Sequence, residues 1–284
     1  MLSWEEMLLL CRVLTDIGVH KIRLTGGEPL VRRGLLPFLN ALIHLPRRPA
    51  VAMTTNGVRL ADHLGKLKSL GITRLNVSLD SLNAPTYLAI TQRDHFARVW
   101  QAVTLASQLG FQLKINVVVL PGMNDTELPA FVELTRHRDW TVRFIEPMPF
   151  TGLGGSLVTI ITGAEIHERL TRQFTLNPMP QAEAAVGDLY QVPGYLGHVG
   201  IIQGHTRNFC GSCSRLRLSA RGIVRTCLYG PPVLDLNAML RAGASAEKIA
   251  AAVRRVVQSR PRDGRSAALA RNGMAPASMA VIGG

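Results

Sequence analysis

Cysteine is scarce in this chain, and its placement is uneven. Only four thiols occur in 284 residues: Cys11 stands alone, while Cys210, Cys213 and Cys227 share one short segment. So few, so unevenly spaced, exclude a secreted disulfide scaffold and suit a reducing compartment, so a cytoplasmic protein is expected. Aromatic residues are also sparse, at 5%. No stretch interleaves them with basic residues in the way a base-stacking surface does, which makes a nucleic-acid binder the weakest of the candidate classes. No apolar run approaches the roughly 18 residues of a membrane span. The opening MLSWEEMLLL is acidic and lacks the basic lead of a signal peptide.

Acidic residues are short too: 19 against 32 basic ones, a net charge of +13. A surplus of that size suits an anionic partner. The densest basic run, RRVVQSRPRDGR (254–265), reads as a solvated helix end and loop. What is left for function is an anionic small molecule held by a few arginines.

Regular alternation fills the first 150 residues. Ser3 and Glu6 form a capping box ahead of a helix with Trp4, Leu8, Cys11 and Leu14 on one face. Cys11 therefore reads as a small core residue. Strand runs follow at KIRLT (21–25), AVAMTT (50–55), TRLNVSL (73–79), KINVVVL (114–120) and TVRFIEP (141–147), separated by helical stretches. One of those helices places Phe96, Trp100, Val103 and Leu109 on a face. The expected fold is α/β: an incomplete parallel (β/α) partial barrel over 1–150, then a smaller domain over 151–284 beyond the Gly-rich PFTGLGGS. Each strand ends in polar or Gly/Pro residues, and ligands of parallel sheets bind at that edge.

Gly26 and Gly27 follow the first strand, where glycine permits a tight turn and a close approach of backbone to ligand. Glu28 adds a carboxylate suited to an amino group. The pattern matches neither a P-loop nor a dinucleotide fingerprint. Lys114 lies on a strand otherwise apolar at Ile115, Val117 and Val119, where an unpaired ammonium would be costly.

NFCGSCSRLRLSARGIVRTC (208–227) offers three thiolates where a four-coordinate metal or an iron–sulfur cubane wants four ligands. His198 or His205 could complete a Cys3His zinc site, another residue could complete a structural cluster, or one iron could stay open for a ligand. Arg207, Arg215, Arg217 and Arg225 bring charge that stabilises thiolates and forks that suit phosphate oxygens.

The ordered motifs RLTGGEPLVRR, MTTNG, LNVSLDSLNAPTYLAIT, LKINVVVLPGMND, RFIEPM, the cysteine segment and the closing MAVIGG resemble the GTP 3′,8-cyclase family. These are the radical-SAM lyases of molybdenum cofactor biosynthesis. The resemblance runs from about Leu2 to Gly284. It implies a [4Fe-4S] cluster on Cys210, Cys213 and Cys227, with the open iron facing the guanine base. It implies S-adenosylmethionine contacts at Gly27, Glu28, Ser78 and Met148, and GTP contacts at Arg23, Thr54, Lys114, Arg215 and Arg217. Arg215, Arg217 and the terminal Gly283 and Gly284 are the implied catalytic positions. Implied partners are GTP, an electron-donor protein, the next enzyme of molybdopterin synthesis and a second copy of the chain.

One family feature is missing. The 284 residues contain no C-x3-C-x2-C, the motif that holds the S-adenosylmethionine-binding cluster, and Cys11 has no partner cysteine to replace it. The expectation is an N-terminally truncated relative that does not form the 5′-deoxyadenosyl radical. The alternatives are a non-catalytic GTP- and cluster-binding remnant, or a different radical-SAM enzyme with an auxiliary cluster.

Overall fold

The computed structural model describes residues 1–148, 160–180, 187–204 and 213–271. In chain order its elements begin α1 (Trp4–Asp16), β1 (Lys21–Leu24), α2 (Leu35–Ile43), β2 (Ala50–Thr55), α3 (Leu64–Ser69) and β3 (Arg74–Ser78). Then come α4 (Ala84–Thr91), α5 (Phe96–Gln108), β4 (Gln112–Val118), α6 (Leu128–Glu133), β5 (Thr141–Ile145) and α7 (Gly163–Thr171). The rest are β6 (Asn177–Pro178), β7 (Asp188–Gln191), β8 (His198–Ile202), β9 (Arg217–Leu218), β10 (Ile223–Arg225), β11 (Leu234–Asp235), α8 (Leu236–Arg241), α9 (Ala246–Gln258) and α10 (Gly264–Leu269). The five expected strands are β1 to β5. The boundary expected near residue 150 falls beside 149–159, outside the described residues.

The chain divides into two compact units. The first joins Met1–Met53 and Ser69–Ile72 to the stretch from Ser214 onward. The capping box at Ser3 starts α1: the Glu6 amide donates to Ser3 Oγ at 3.2 Å and the Ser3 amide to the Glu6 carboxylate at 2.7 Å. Leu10, Val13 and Leu14 of α1 share a core with Val224, Leu236, Ile249, Ala250 and Val253. The Leu2 amide donates to the Ala220 carbonyl at 2.8 Å, and Arg241 pairs with Glu6 at 2.6 Å. Cys11 is buried, and burial pushes its thiol up to about 12, as a core residue requires. β1 pairs in parallel with β2, Lys21 opposite Ala50. Its charged residues, Lys21 and Arg23, are exposed and Ile22 and Leu24 half-buried, so this strand carries the cations that discourage edge pairing rather than a wholly apolar edge.

The second unit comprises Thr54–Lys68 and Thr73–Cys213. Its strands run in the order β3-β4-β5-β8-β7-β6, parallel from β3 to β8 and antiparallel at β7 and β6. β8 is not among the strands expected from the sequence. HVGII pairs with β5, His198 opposite Thr141, and extends the parallel sheet past the Gly-rich stretch.

One face of this sheet is apolar throughout. Leu75, Val77, Leu113, Ile115, Val117, Val142, Phe144, Val199 and Ile201 are all buried. Helices cover them with Val99, Ala102, Val103 and Ala106 of α5, Phe131 and Val132 of α6, and Ile166 and Leu170 of α7. The α5 face expected at Phe96 and Trp100 is therefore rotated. Those two rings are half-buried and stack with centroids 6.4 Å apart, while the smaller residues meet the sheet.

Candidate functional site

Because side chains alternate across a strand, the second face of the same sheet carries the other half of each strand. Cross-strand register sorts it into two polar rows, beyond which Val118, Ile145 and Ile202 form an apolar row at the C-terminal ends of β4, β5 and β8. Asn76, Lys114, Thr141 and His198 lie opposite one another, and so do Ser78, Asn116, Arg143 and Gly200 one step nearer the C-terminal ends. Every non-glycine member is polar. A parallel sheet covered on both faces reads as continuous Val, Ile and Leu, so this face is built for something other than a helix.

The rows have internal order. Asn116 Oδ1 accepts from Arg143 Nε at 2.9 Å and from Arg143 Nη2 at 2.6 Å, which fixes the plane of the guanidinium. A Cβ on Gly200 would sit 3.0 Å from Arg143 Cγ, so the glycine clears the path of that side chain. Asn76 Nδ2 reaches Thr54 Oγ1 at 3.5 Å, the limit of a hydrogen bond, and ties the tip of β2 to the first row. Beyond β5, a Cβ on Gly204 would lie 2.6 Å from Met148 Cε, so that methionine occupies space the glycine leaves. At the β3 tip, Asp80 Oδ1 accepts from the Val118 amide at 2.8 Å; burial pushes its carboxyl up to about 6 against the lowering effect of that bond.

Of the residues expected from sequence, Thr54, Ser78, Lys114 and Met148 fall in this unit, with Ser78 and Lys114 on the polar rows. Asn116 and Arg143 were missed. Their signal is the same alternation that drew attention to Lys114: each is a polar residue flanked by buried apolar ones.

The first unit holds Arg23, Gly27, Glu28, Arg215, Arg217 and Cys227. Gly26 has φ +103°, so the turn after β1 needs glycine there. A Cβ on Gly27 would meet nothing within 4 Å, so internal packing does not demand that glycine, and the space beside it can receive a ligand. Glu28 Oε1 accepts from the Leu30 amide at 3.0 Å and caps the short turn at Pro29–Val31, a structural duty for the carboxylate expected to take an amino group. Arg217 lies directly opposite Arg225 in the β9–β10 pair, and Arg260 Nη2 donates to the Arg215 carbonyl. The run 254–265 is solvated as expected at Arg254, Arg255, Arg262 and Arg265.

Cys213 and Cys227 are half-exposed free thiols. Cys210, His205, Arg207, Gly283 and Gly284 lie outside the described residues. Among the described residues no group of three His, Cys, Asp or Glu side chains is arranged to hold a metal. Nor is any described helix long and apolar enough to cross a membrane.

Residues 1–135 match the Radical SAM superfamily, and residues 140–265 match Molybdenum Cofactor Synthesis C. The GTP 3′,8-cyclase of Gloeobacter violaceus is 39% identical over 92% of this chain and 81% of its own length. This chain belongs to the GTP 3′,8-cyclase family. The enzyme of that name from Geobacter sulfurreducens is 38% identical over the whole chain and 87% of its own length. Among solved structures, Streptococcus suis SuiB bound to S-adenosylmethionine superposes with a TM-score of 0.56 over 84% of this chain and 58% of that one. At 13% identity the likeness speaks for the fold alone, a radical-SAM α/β architecture. The family resemblance carried by RLTGGEPLVRR, RFIEPM and the cysteine segment is thus borne out, as is the α/β class. Radical-SAM membership implies S-adenosylmethionine and a [4Fe-4S] cluster as cofactors.

Proposed function

We propose that this chain serves GTP 3′,8-cyclase chemistry on GTP, with the polar face of the β3–β8 sheet as a binding surface for it. The single observation behind this is the pair of polar rows on one face of a parallel sheet, the second of them reaching the C-terminal tip of β3 at Ser78, the kind of tip beside which such sheets take ligands. Lys114 and Arg143 are cations suited to triphosphate oxygens, and Thr54 offers a hydroxyl. Arg23, Arg215 and Arg217 supply further phosphate or carbonyl partners. Gly27 leaves room for S-adenosylmethionine beside β1, with Ser78, Met148 and Glu28 as its other contacts.

Cys227 suits a cluster ligand, since it is half-exposed between buried neighbours, and with Cys210 and Cys213 it would hold one [4Fe-4S] cluster. Bound there, that cluster would offer an open iron to guanine. S-adenosylmethionine, when bound and reductively cleaved, would supply the group that takes a hydrogen atom from the ribose 3′ carbon. That carbon would bond to guanine C8 as the C8–N7 double bond opens. One electron and a proton, the electron from the donor protein, would complete the cyclic dihydro product. The chain's residues hold the two reacting carbons together and keep the triphosphate fixed. Gly283 and Gly284 would complete the site. An electron-donor protein, the next enzyme of molybdopterin synthesis and a second copy of the chain are the partners this reading carries, in the cytoplasm.

The 284 residues hold no C-x3-C-x2-C. This polypeptide on its own is therefore expected to bind GTP and one cluster without cleaving S-adenosylmethionine. Anaerobic reconstitution tests it: about four irons per chain, one cubane, and no 5′-deoxyadenosine formed under a strong reductant. About eight irons, tightly bound zinc, or released 5′-deoxyadenosine would contradict it.

A further inference from the structure

The loop after β10 is anchored so that one side chain turns outward. Thr226 is 4% exposed, Leu228 8% and Tyr229 1%, whereas Cys227 between them is half-exposed. Two bonds close the loop. Arg225 Nη1 donates to the Gly230 carbonyl at 2.6 Å, and the Gly230 amide approaches the Cys227 carbonyl at 3.4 Å. Gly230 is buried against both the cysteine and α10: a Cβ there would meet Cys227 Cβ at 3.5 Å and Ala267 Cβ at 3.6 Å. The arginine thus bridges the two ends of a six-residue arc, Arg225 to Gly230, whose outward member is Cys227.

Among the described residues, two cations lie close to Arg225. Arg217 lies directly across the ladder from Arg225, and Arg271, just past α10, is near enough for its charge to act on Arg225. Like charges opposed across a strand pair are destabilising. None of the ion pairs among the described residues involves Arg225 or Arg271. Arg271 Nε is buried without a hydrogen-bond partner among the described residues. A guanidinium that is fixed, half-buried and faced by other cations is costly unless an anion offsets it.

We propose that Arg225 is a positioning residue for Cys227: it clamps the Cys227 loop through the Gly230 carbonyl and, with Arg217 and Arg271, supplies the positive frame for an anionic iron–sulfur centre on that thiolate. The proposal rests on Cys227 being a cluster ligand, which is part of the function proposed above. Groups around a cluster set its potential through net charge and hydrogen bonding, and outer partners of a ligand govern how well it holds metal. Neutralising such a charge makes the cluster harder to reduce.

The test uses the whole chain, reconstituted anaerobically with iron and sulfide, as parent, Arg225→Leu, Arg225→Lys, Arg271→Gln and Cys227→Ala. Readouts are iron per chain, the EPR spectrum of the reduced cluster, its midpoint potential, and thermal unfolding of the apoprotein. Arg225→Leu should lose at least half its iron and shift the EPR g-values and the potential, the latter downward. Arg225→Lys should recover the potential better than the g-values, because it restores charge without the fork. Arg271→Gln, which leaves the clamp intact, should keep its iron and lower the potential. Should Arg225→Leu fail to fold, the Lys and Arg271 variants decide alone, and parent-like spectra and potentials in both overturn the proposal. Full iron with parent EPR and potential in Arg225→Leu overturns it as well. Parent-like iron in Cys227→Ala would instead overturn the ligand assignment beneath it.

Discussion

The two faces of the β3–β8 sheet are made from the same strands and differ in almost everything else. One face buries Val77, Ile115, Val117, Val142 and Phe144 under helices, and the other presents Ser78, Lys114, Asn116 and Arg143. A single residue step separates the buried face from the polar one. Strand alternation thus lets one short segment such as KINVV hold the core with Ile115 and Val117 and the polar face with Lys114 and Asn116. Substitutions should therefore divide sharply by face.

The largest expected effect is on the apolar face. Phe144 is buried edge-on against Phe131, centroids 6.3 Å apart. Phe144→Ala should cost about 3–5 kcal/mol in denaturant melts. A cost within 1 kcal/mol would show that this face is not the structural one.

Asp80 sharpens the comparison, because it follows the parity of Ser78 yet its carboxyl is buried. A folded-state value of about 6, above the model-peptide value of 3.8, means the folded protein binds this proton more tightly than the unfolded chain. Its contribution is therefore fully present below about pH 4 and lost as pH rises through about 6, amounting to roughly 2–3 kcal/mol. Asp80→Asn, which keeps an acceptor for the Val118 amide, should flatten that part of the stability–pH curve. An unchanged slope would contradict the burial argument.

On the polar face the effect should appear in binding and not in folding. Arg143→Gln should weaken GTP binding roughly 10-fold, within the range of a charge-assisted hydrogen bond, with a change in melts below about 0.5 kcal/mol. Asn116→Ala, which frees the guanidinium, should do the same more weakly. A large loss of stability with normal binding would place both residues in the scaffold. The smallest effect belongs to Cys11. Its thiol, raised by burial, should resist maleimide in the folded apoprotein, while Cys213 and Cys227 react. Equal labelling of all three would contradict the core reading of α1.

Much of this was legible in the sequence because local signals were strong. β4 and β5 alternate clearly, Ser3 and Glu6 announce α1, and α2 is apolar but for the exposed Asn40, LLPFLNALI. What was missed lacked such signals. HVGII is five residues long with a glycine at its centre, which reads as loop until β5 supplies a partner. α4 went unmarked because Pro85 lies in its first turn, capped by Asn83, and only Tyr87 is buried. α5 was rotated because large aromatics were given precedence over Ala102 and Ala106, although small residues are what let a helix lie close to a sheet. Lys114 stood out as a cation on an apolar strand. Arg143 had the same pattern in TVRFI, but its role emerges only when the register sets it beside Asn116.

The central claim, that the polar face binds GTP, is tested most directly by equilibrium titration of GTP into the anaerobically reconstituted chain and its Lys114→Ala variant. The account predicts one GTP per parent chain and a variant weaker by roughly 10- to 100-fold, with unfolding midpoints that match. Equal affinity in the two proteins, or no binding by either, would contradict it.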